Sequence, residues 1–231
     1  MRCLMVLAVV AVASAQVLPI PGPGRVVTST ASPAYVNSAA ATAGATPITI
    51  SYSVASSSDI LIVCEKLNGT GLPVVISSTK IAAGSWTLIG AADDGSNGAI
   101  GCKWAVPPST GTDTITCDNS AGNVAYCGVV EISGASQTSP IHDFKIGYNA
   151  TSGTSMSTAA ITASTTDLIY AAAFGVDGTT TKASGWAGPY TFSTNGRYIG
   201  ESLVPAGATS VTATATQTNT NPWIIMGMSI H

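Results

Sequence analysis

The chain has 231 residues and a formal net charge of −3 at pH 7, and only 8% of it is Asp, Glu, Lys or Arg. Charged residues make up about a quarter of an ordinary soluble protein. The 8 basic residues are scattered, which excludes phosphate neutralisation in nucleic acid binding and electrostatic attraction to a membrane surface. Disordered chains combine high net charge with few β-branched and aromatic residues, so this composition instead indicates a folded protein with a neutral, hydroxyl-rich β surface.

The N-terminal residues have the pattern of an export signal. Arg2 supplies a positive charge, residues 3–12 are apolar, and residues 13–15 form a small-residue Ala-Ser-Ala cleavage motif. This run is too short to cross a membrane as a helix, and no later stretch is long and apolar enough to do so. We predict a signal peptide over residues 1–15, with a buried N-terminal strand or helix as the alternative. The mature protein is expected to be secreted, without a membrane span, and located outside the cell or on a cell or particle surface.

Residues 16–45 are rich in Pro, Gly and Ala, and we predict an extended segment there. Alternating Pro and Gly up to residue 24 exclude a helix and favour a polyproline-like chain. The segment is either a loose leader or a strand donated to the sheet of a neighbouring molecule. A donated strand would pair over residues 25–30, with apolar contacts from Val17, Ile20, Val26 and Val27.

The rest of the chain reads as a succession of β-strands, and no segment has a helical period. Residues 47–54 alternate apolar and hydroxyl side chains, which predicts a half-buried strand. Residues 59–67 are apolar on both faces, which is typical of the centre of a packed sheet. Further strands are predicted over residues 74–80, 85–91, 98–106, 112–117 and 124–132.

Much of the chain is duplicated. Residues 96–132 recur as residues 194–230 with 8 identities at a constant offset. When the two segments are aligned, turn residues match turn residues and the alternation of apolar residues coincides. This is the pattern of one supersecondary unit that occurs twice. The segment that begins at Asp167 repeats the one that begins at Asp59. Because each set must bury an apolar face, we predict an all-β fold, a two-sheet antiparallel jelly-roll-like β-sandwich built from two similar halves, as one domain over residues 46–231.

Four cysteines remain after the signal peptide is removed, and an even number in an exported chain predicts two disulfides. A hairpin between the strands that carry Cys102 and Cys117 would set these two residues opposite each other. Cys64 is then left to pair with Cys127. Zinc is the alternative, but the chain has no Cys-x-x-Cys pair and only 2 histidines.

No nucleophilic catalytic set is apparent. The two histidines are His142 and His231, and His142 adjoins Asp143. Adjacent residues on an extended chain point apart, and the chain lacks a Gly-x-Ser-x-Gly motif. We therefore predict that His142 is not catalytic.

The acidic residues do not predict a site either. Glu65, Glu131 and Glu201 fall on different predicted strands, where we expect them to face solvent rather than converge as a glycosidase pair. The Asp-rich run at residues 93–98 lacks the spacing of an EF-hand and predicts a turn rather than a calcium loop. We predict a protein that is not an enzyme and requires neither a cofactor nor a metal.

Two kinds of surface feature offer binding or modification sites. Asn68 and Asn149 begin Asn-x-Thr sequons in predicted turns or loops, where glycans would attach unless the sequons are chance occurrences in a Thr-rich chain. Aromatic faces stack on sugar rings, but the recurrence of tryptophan at matching places in the two halves favours core packing. The candidate stacking residues are Trp86, Trp104, Trp186 and Trp223, of which Trp86 and Trp186 recur at matching places.

The duplicated pattern resembles a known group of modules. A strand of the type DLIY, an Asp-Gly turn, a Trp, a Thr-alternating strand and a closing segment NPWIIMGMSI are similar to jelly-roll β-sandwich modules of uncertain function in secreted bacterial surface proteins and phage structural proteins. The resemblance covers roughly residues 46–231, whereas the disulfides and the Pro-rich leader depart from the usual pattern. It implies adhesion or assembly rather than catalysis.

These observations predict a non-enzymatic secreted structural subunit of an extracellular assembly, such as a fibre, a pilus-like filament or a coat. A nearly uncharged β surface has little to keep neighbouring sheets apart, so we expect self-association into a homo-oligomer or filament. The alternative is a carbohydrate-binding adhesin or lectin-like module whose partner is a surface glycan.

Overall fold

The computed structural model describes residues 31–42, 47–68, 71, 75–94, 98–118, 124–175, 179–191, 198–203 and 209–231. The predicted signal peptide lies outside these ranges, and so do the predicted assembly residues Val17, Ile20, Val26 and Val27. The described residues form β-strands and one 3-10 turn (Ala83–Ser85). None of them forms a helix with the length and hydropathy needed to cross a membrane. The all-β prediction is therefore confirmed.

The strands fall into two consecutive sets. The first set comprises β1 (Ala34–Thr42), β2 (Ile48–Val54), β3 (Ile60–Asn68), β4 (Val75–Ser78), β5 (Thr87–Asp93), β6 (Gly98–Ala105), β7 (Gly111–Asp118) and β8 (Val124–Ser133). The second set comprises β9 (Ile141–Asn149), β10 (Ser155–Ser157), β11 (Ile161–Thr162), β12 (Leu168–Gly175), β13 (Thr180–Lys182), β14 (Ala187–Thr191), β15 (Tyr198–Leu203), β16 (Ser210–Val211), β17 (Thr214–Gln217) and β18 (Trp223–Ile230).

Each set of strands builds its own sheets. The first set forms a five-stranded sheet, β1-β8-β3-β6-β5, and a three-stranded sheet, β2-β7-β4. The second forms a five-stranded sheet, β9-β18-β12-β15-β14, a three-stranded sheet, β10-β17-β13, and the pair β11-β16. The described residues thus form five sheets, and the prediction of two is wrong. The alternation in the sequence predicts one sheet for each set, whereas each set divides its strands between facing sheets.

Three apolar cores lie between these sheets. The largest contains inward residues of both five-stranded sheets, such as Ile62 and Tyr170, so these sheets pack face to face. A second core, with Val63, lies between the first five-stranded sheet and β2-β7-β4. A third, with Ile169, lies between the second five-stranded sheet and the small sheets of its own set. Burial of one large aliphatic side chain of this kind stabilises the folded state by about 1.5–3 kcal/mol.

Two local strand predictions are confirmed. β2 alternates buried and exposed residues along its length, as the pattern of residues 47–54 predicted. β3 is buried on both faces at the centre of its sheet, as residues 59–67 predicted. The sheet also begins earlier than residue 46, because β1 pairs antiparallel with β8. Part of the predicted extended segment 16–45 therefore belongs to the folded domain.

The predicted disulfide pairing is wrong, although all four cysteines are bonded. Cys64 pairs with Cys102, and Cys117 pairs with Cys127. The predicted hairpin does not form, because β6 lies between β3 and β5 whereas β7 lies between β2 and β4 in the facing sheet.

The observed pairs follow from this placement. Cys102 is opposite Cys64 on the neighbouring strand β3, with 4.1 Å between the Cα atoms. Cys117 faces Cys127 across the core of the first set, with 6.0 Å between the Cα atoms. One disulfide therefore joins neighbouring strands, and the other joins two facing sheets.

We predict that peptide mapping without reduction will recover Cys64–Cys102 and Cys117–Cys127 as separate cross-linked peptides. Replacing a pair by alanine should destabilise the fold by about 4 kcal/mol for the bridge of sequence separation 38 and about 3 kcal/mol for the one of separation 10. The free energy of unfolding in urea measures both. Recovery of a Cys102–Cys117 peptide would contradict the strand arrangement.

Candidate functional site

The tryptophans proposed for sugar stacking are core residues. Trp86 lies in the core of the first set, and Trp186 and Trp223 lie in the core of the second. Each of these three is at most 8% exposed. Trp104 is half-buried and packs against the core between the five-stranded sheets. Buried ring faces cannot stack on a sugar, so Trp86, Trp186 and Trp223 do not form a glycan platform.

The expectation that the glutamates face solvent is also wrong for two of them. Glu65 on β3 is 1% exposed, and Glu131 on β8 is 0% exposed. Both strands lie inside a sheet that is covered on both faces, so neither of their faces is solvated. The side chain of Glu201 on β15 lies outside the described part of the structure.

Glu131 organises a polar cluster at the end of β2. Its carboxyl oxygens accept hydrogen bonds from the Tyr52 hydroxyl at 2.9 Å, from the backbone N–H of Ala55 at 2.9 Å and from that of Ser56 at 3.1 Å. Burial and the adjacent Glu131 raise the pKa of Asp59. Burial first, and then the bond to Glu131, raises the pKa of Tyr52. The cluster fixes the connection from β2 to β3.

Glu65 lies in a different environment. The N–H of Val75 and the charge of Lys103 favour its ionised form, but burial outweighs them and raises the pKa of Glu65 to about 8. No hydrogen bond of normal geometry reaches either carboxyl oxygen within the described residues. The group is therefore protonated in the folded protein at neutral pH.

His142 forms a partly exposed polar cluster with Asp167. Its Nδ1 lies 2.9 Å from Oδ2 of Asp167, and the histidine side chain is 41% exposed whereas the aspartate is fully buried. Asp167 also accepts hydrogen bonds from the backbone N–H and the hydroxyl of Ser164. Burial alone would raise the pKa of Asp167, but the bonds from Ser164 and His142 outweigh it and lower this pKa. The aspartate thus remains ionised and holds the imidazole in place.

His231 completes the walls of this cleft. The ring centres of His142 and His231 are 5.7 Å apart, and the rings are nearly perpendicular at 88°. With Ser164 and Asp167 they line a cleft of about 340 Å³. His231 also lines a neighbouring cavity of about 400 Å³, whose other walls are small and hydroxyl-bearing: Ala31, Ser32, Pro33, Gly134, Ala135, Ser136 and Thr166.

The cluster is not arranged as a catalytic triad. A nucleophilic serine must hydrogen-bond to the histidine that acts as its base, whereas the Ser164 hydroxyl donates to Asp167. Asp143, the sequence neighbour of His142, instead binds Lys145 and the backbone N–H of Thr162. The expectation that His142 and Asp143 point apart is confirmed.

The contact of His142 with Asp167 was not among the sequence predictions. The only signal was the match of Asp167 to Asp59 in the duplicated segments. That match does not identify a partner on β9. The two residues meet because β18 pairs with β9 on one side and β12 on the other.

The asparagine of each sequon is the last residue of a strand. Asn68 is exposed at the end of β3, and its Oδ1 accepts a hydrogen bond from Lys66. Asn149 is half-buried at the end of β9, where its Oδ1 accepts bonds from the backbone N–H and hydroxyl of Thr151. Asn68 is therefore the more accessible acceptor for a glycan. In the described part of the chain, no group of three or more His, Cys, Asp and Glu is arranged to hold a metal ion.

We predict that Glu131→Gln destabilises the protein by about 1.5–3 kcal/mol, because an amide cannot accept all of the hydrogen bonds that the carboxyl group accepts. Tyr52→Phe removes only the hydroxyl bond and should cost less. Urea unfolding at pH 7 measures both variants. A Glu131→Gln protein as stable as the original would contradict the structural role of this cluster.

We predict that the stability of the protein depends on pH through Glu65. Its pKa is raised from 4.5 to about 8 in the folded protein, so the unfolded chain releases this proton at lower pH than the folded one does. The contribution of Glu65 to stability is fully present below pH 4.5 and is lost as the pH rises to about 8, by up to about 1.4 kcal/mol per pH unit.

Glu65→Gln keeps a neutral polar group at the site and should remove this dependence. Unfolding free energies of both proteins from pH 5 to pH 8 are the measurement. The difference between the two curves isolates Glu65 from the other titrating groups. Parallel curves would show that Glu65 does not titrate in this way.

Comparison with known proteins identifies no relative. No family model, curated protein or solved structure matches this chain. The contacts described above are therefore the basis for a functional proposal.

Proposed function

We propose that this chain is a non-enzymatic, secreted structural subunit of an extracellular assembly such as a fibre, a pilus-like filament or a coat. The observation that carries the proposal is the open, uncharged edge of the first five-stranded sheet. β1 has one strand neighbour, β8, among the described strands. Its nine residues, AYVNSAAAT, include no charged side chain. An edge of this kind presents backbone N–H and C=O groups to which another strand can bind.

The other edges of the five-stranded sheets carry features that hinder strand addition. β9 contains Asp143 and Lys145, which form an ion pair at 2.6 Å. β5 ends in Asp93, and β14 contains Pro189. Charges and proline are the usual means by which proteins protect an edge strand. β1 is therefore the edge at which we expect assembly.

The chain also contains a segment suited to occupy such an edge. Residues 25–30 immediately precede the described chain and contain Val26 and Val27 without a proline. In the proposed assembly, this segment of one molecule adds a strand beside β1 of the next, and main-chain hydrogen bonds provide the affinity. A chain with only 8% charged residues does not oppose this contact strongly.

The repeated strand order supports a duplicated jelly-roll-like unit as the building block. Counted within its own set, the order of the first five-stranded sheet corresponds to that of the second, with β9 in the place of β1 and β18 in the place of β8. The three-stranded sheets β2-β7-β4 and β10-β17-β13 correspond in the same way. We infer that the chain arose as two such units and that its two disulfides suit an oxidising, extracellular location.

The burial of the acidic residues and tryptophans supports a structural role over the alternatives. Glu131 and Asp59 are buried neighbours rather than an accessible catalytic pair, and Ser164 is not bound to a base. A carbohydrate-binding adhesin remains the alternative function, but it would need a sugar platform other than Trp86, Trp186 and Trp223.

We predict that the mature chain from Gln16 forms filaments in negative-stain microscopy, and that a chain beginning at Ala31, which retains β1, does not. Asn37→Lys places a charge on an exposed position of β1 and should also prevent assembly. Tyr148→Lys places the same charge on an exposed position of β9 and should leave assembly intact.

Monomers in all four preparations would overturn the assembly proposal. Binding of these monomers to a glycan array would then favour the adhesin. Circular dichroism of each chain establishes that the variants retain the β fold.

A further inference from the structure

We propose that His142 and His231 form a binding site for one divalent transition-metal ion of the copper, nickel and zinc class. Both rings line the same cleft of about 340 Å³. The proposal does not depend on assembly at β1. Imidazole nitrogen is a preferred ligand for these three metals.

The spacing of the rings fits a shared ion. Metal–nitrogen bonds of about 2.0–2.1 Å around a tetrahedral ion place two imidazole centres roughly 5–6 Å apart. The centres of His142 and His231 are 5.7 Å apart, and the near-perpendicular rings do not stack on each other. Two rings at this separation are close enough to share one ion.

Asp167 prepares His142 for this role. An ionised carboxylate only accepts hydrogen bonds, so Nδ1 of His142 carries the hydrogen in the 2.9 Å contact with Asp167. The Nε2 atom is then left with a free lone pair. A histidine that binds a metal commonly donates its other N–H to a carboxylate in this way. Because Asp167 also accepts two bonds from Ser164, it orients His142 and is not itself a ligand.

The main chain fixes the position of His231. Its N–H donates to the carbonyl of Pro140 at 3.0 Å, and its carbonyl accepts from the N–H of Ser136 at 2.7 Å. The side chain is exposed, as is much of His142, so an ion can enter from solvent. Water would fill the remaining coordination positions. With two protein ligands, affinity should follow the order copper above nickel and zinc.

The test uses the full mature protein, and its 2 histidines make the readout unambiguous. Calorimetric titration with Cu²⁺, Ni²⁺ and Zn²⁺ should show one ion per chain. Electron paramagnetic resonance of the copper-loaded protein should show coordination by two imidazole nitrogens. Absence of binding, or a copper signal from fewer than two imidazoles, would overturn the proposal.

Matched variants locate the site. In His142→Asn, the amide Nδ2 can still donate to Asp167 while the Nε2 ligand is lost, so the fold should be retained. This variant and His231→Ala should each weaken Ni²⁺ and Zn²⁺ binding by at least about tenfold. Asp167→Asn keeps both ligands and should weaken binding by about 10–100-fold.

Thermal unfolding controls for structural damage in each variant. If a variant does not fold, its metal titration is replaced by NMR of the imidazole nitrogens of the original protein, recorded with and without Zn²⁺. The proposal requires a shift at one nitrogen of each ring. Unchanged affinity in both histidine variants, or unshifted nitrogens in the original protein, would overturn it.

Discussion

The face-to-face packing of the two five-stranded sheets is the constraint on which the rest of the structure depends. Each of these sheets is also covered on its other face by the small sheets of its own set. In β3, Ile62 therefore packs toward the second set while Val63 packs toward β2-β7-β4. A strand in this position has no solvated face. Polar residues on it must find partners, remain neutral or carry a structural role.

Because both faces of these strands are buried, the glutamates and tryptophans that were candidates for catalysis or sugar binding have structural roles instead. Glu131 is satisfied by the donors at the end of β2, so it stabilises a connection. Glu65 has fewer partners and is held neutral by burial. The tryptophans fill cores because their large apolar surfaces contribute most there. Among the described residues, what remains for interaction is the rim of the molecule, where each edge strand of the five-stranded sheets has one strand neighbour.

Two features of this rim differ in what they could bind. The edge of β1 is uncharged and offers main-chain groups, which suits a strand of another copy. The cleft at His142 and His231 offers two imidazoles held by a buried aspartate and by main-chain bonds, which suits a metal ion. β9, which carries His142, is charged and is the counterpart of β1 in strand order. The edge strands at corresponding places of the two five-stranded sheets thus differ in charge.

The all-β class, individual strands such as residues 47–54 and 59–67, and the presence of two disulfides could be predicted from the chain, because they follow from local periodicity and composition. The bond between Cys102 and Cys64, the burial of Glu65 and the contact of His142 with Asp167 could not be predicted, because they depend on how the strands assemble. A period of two shows which residues share a face but not which sheet a strand joins. That choice depends on the free energy of pairing strands distant in the chain, and a short local pattern does not contain it.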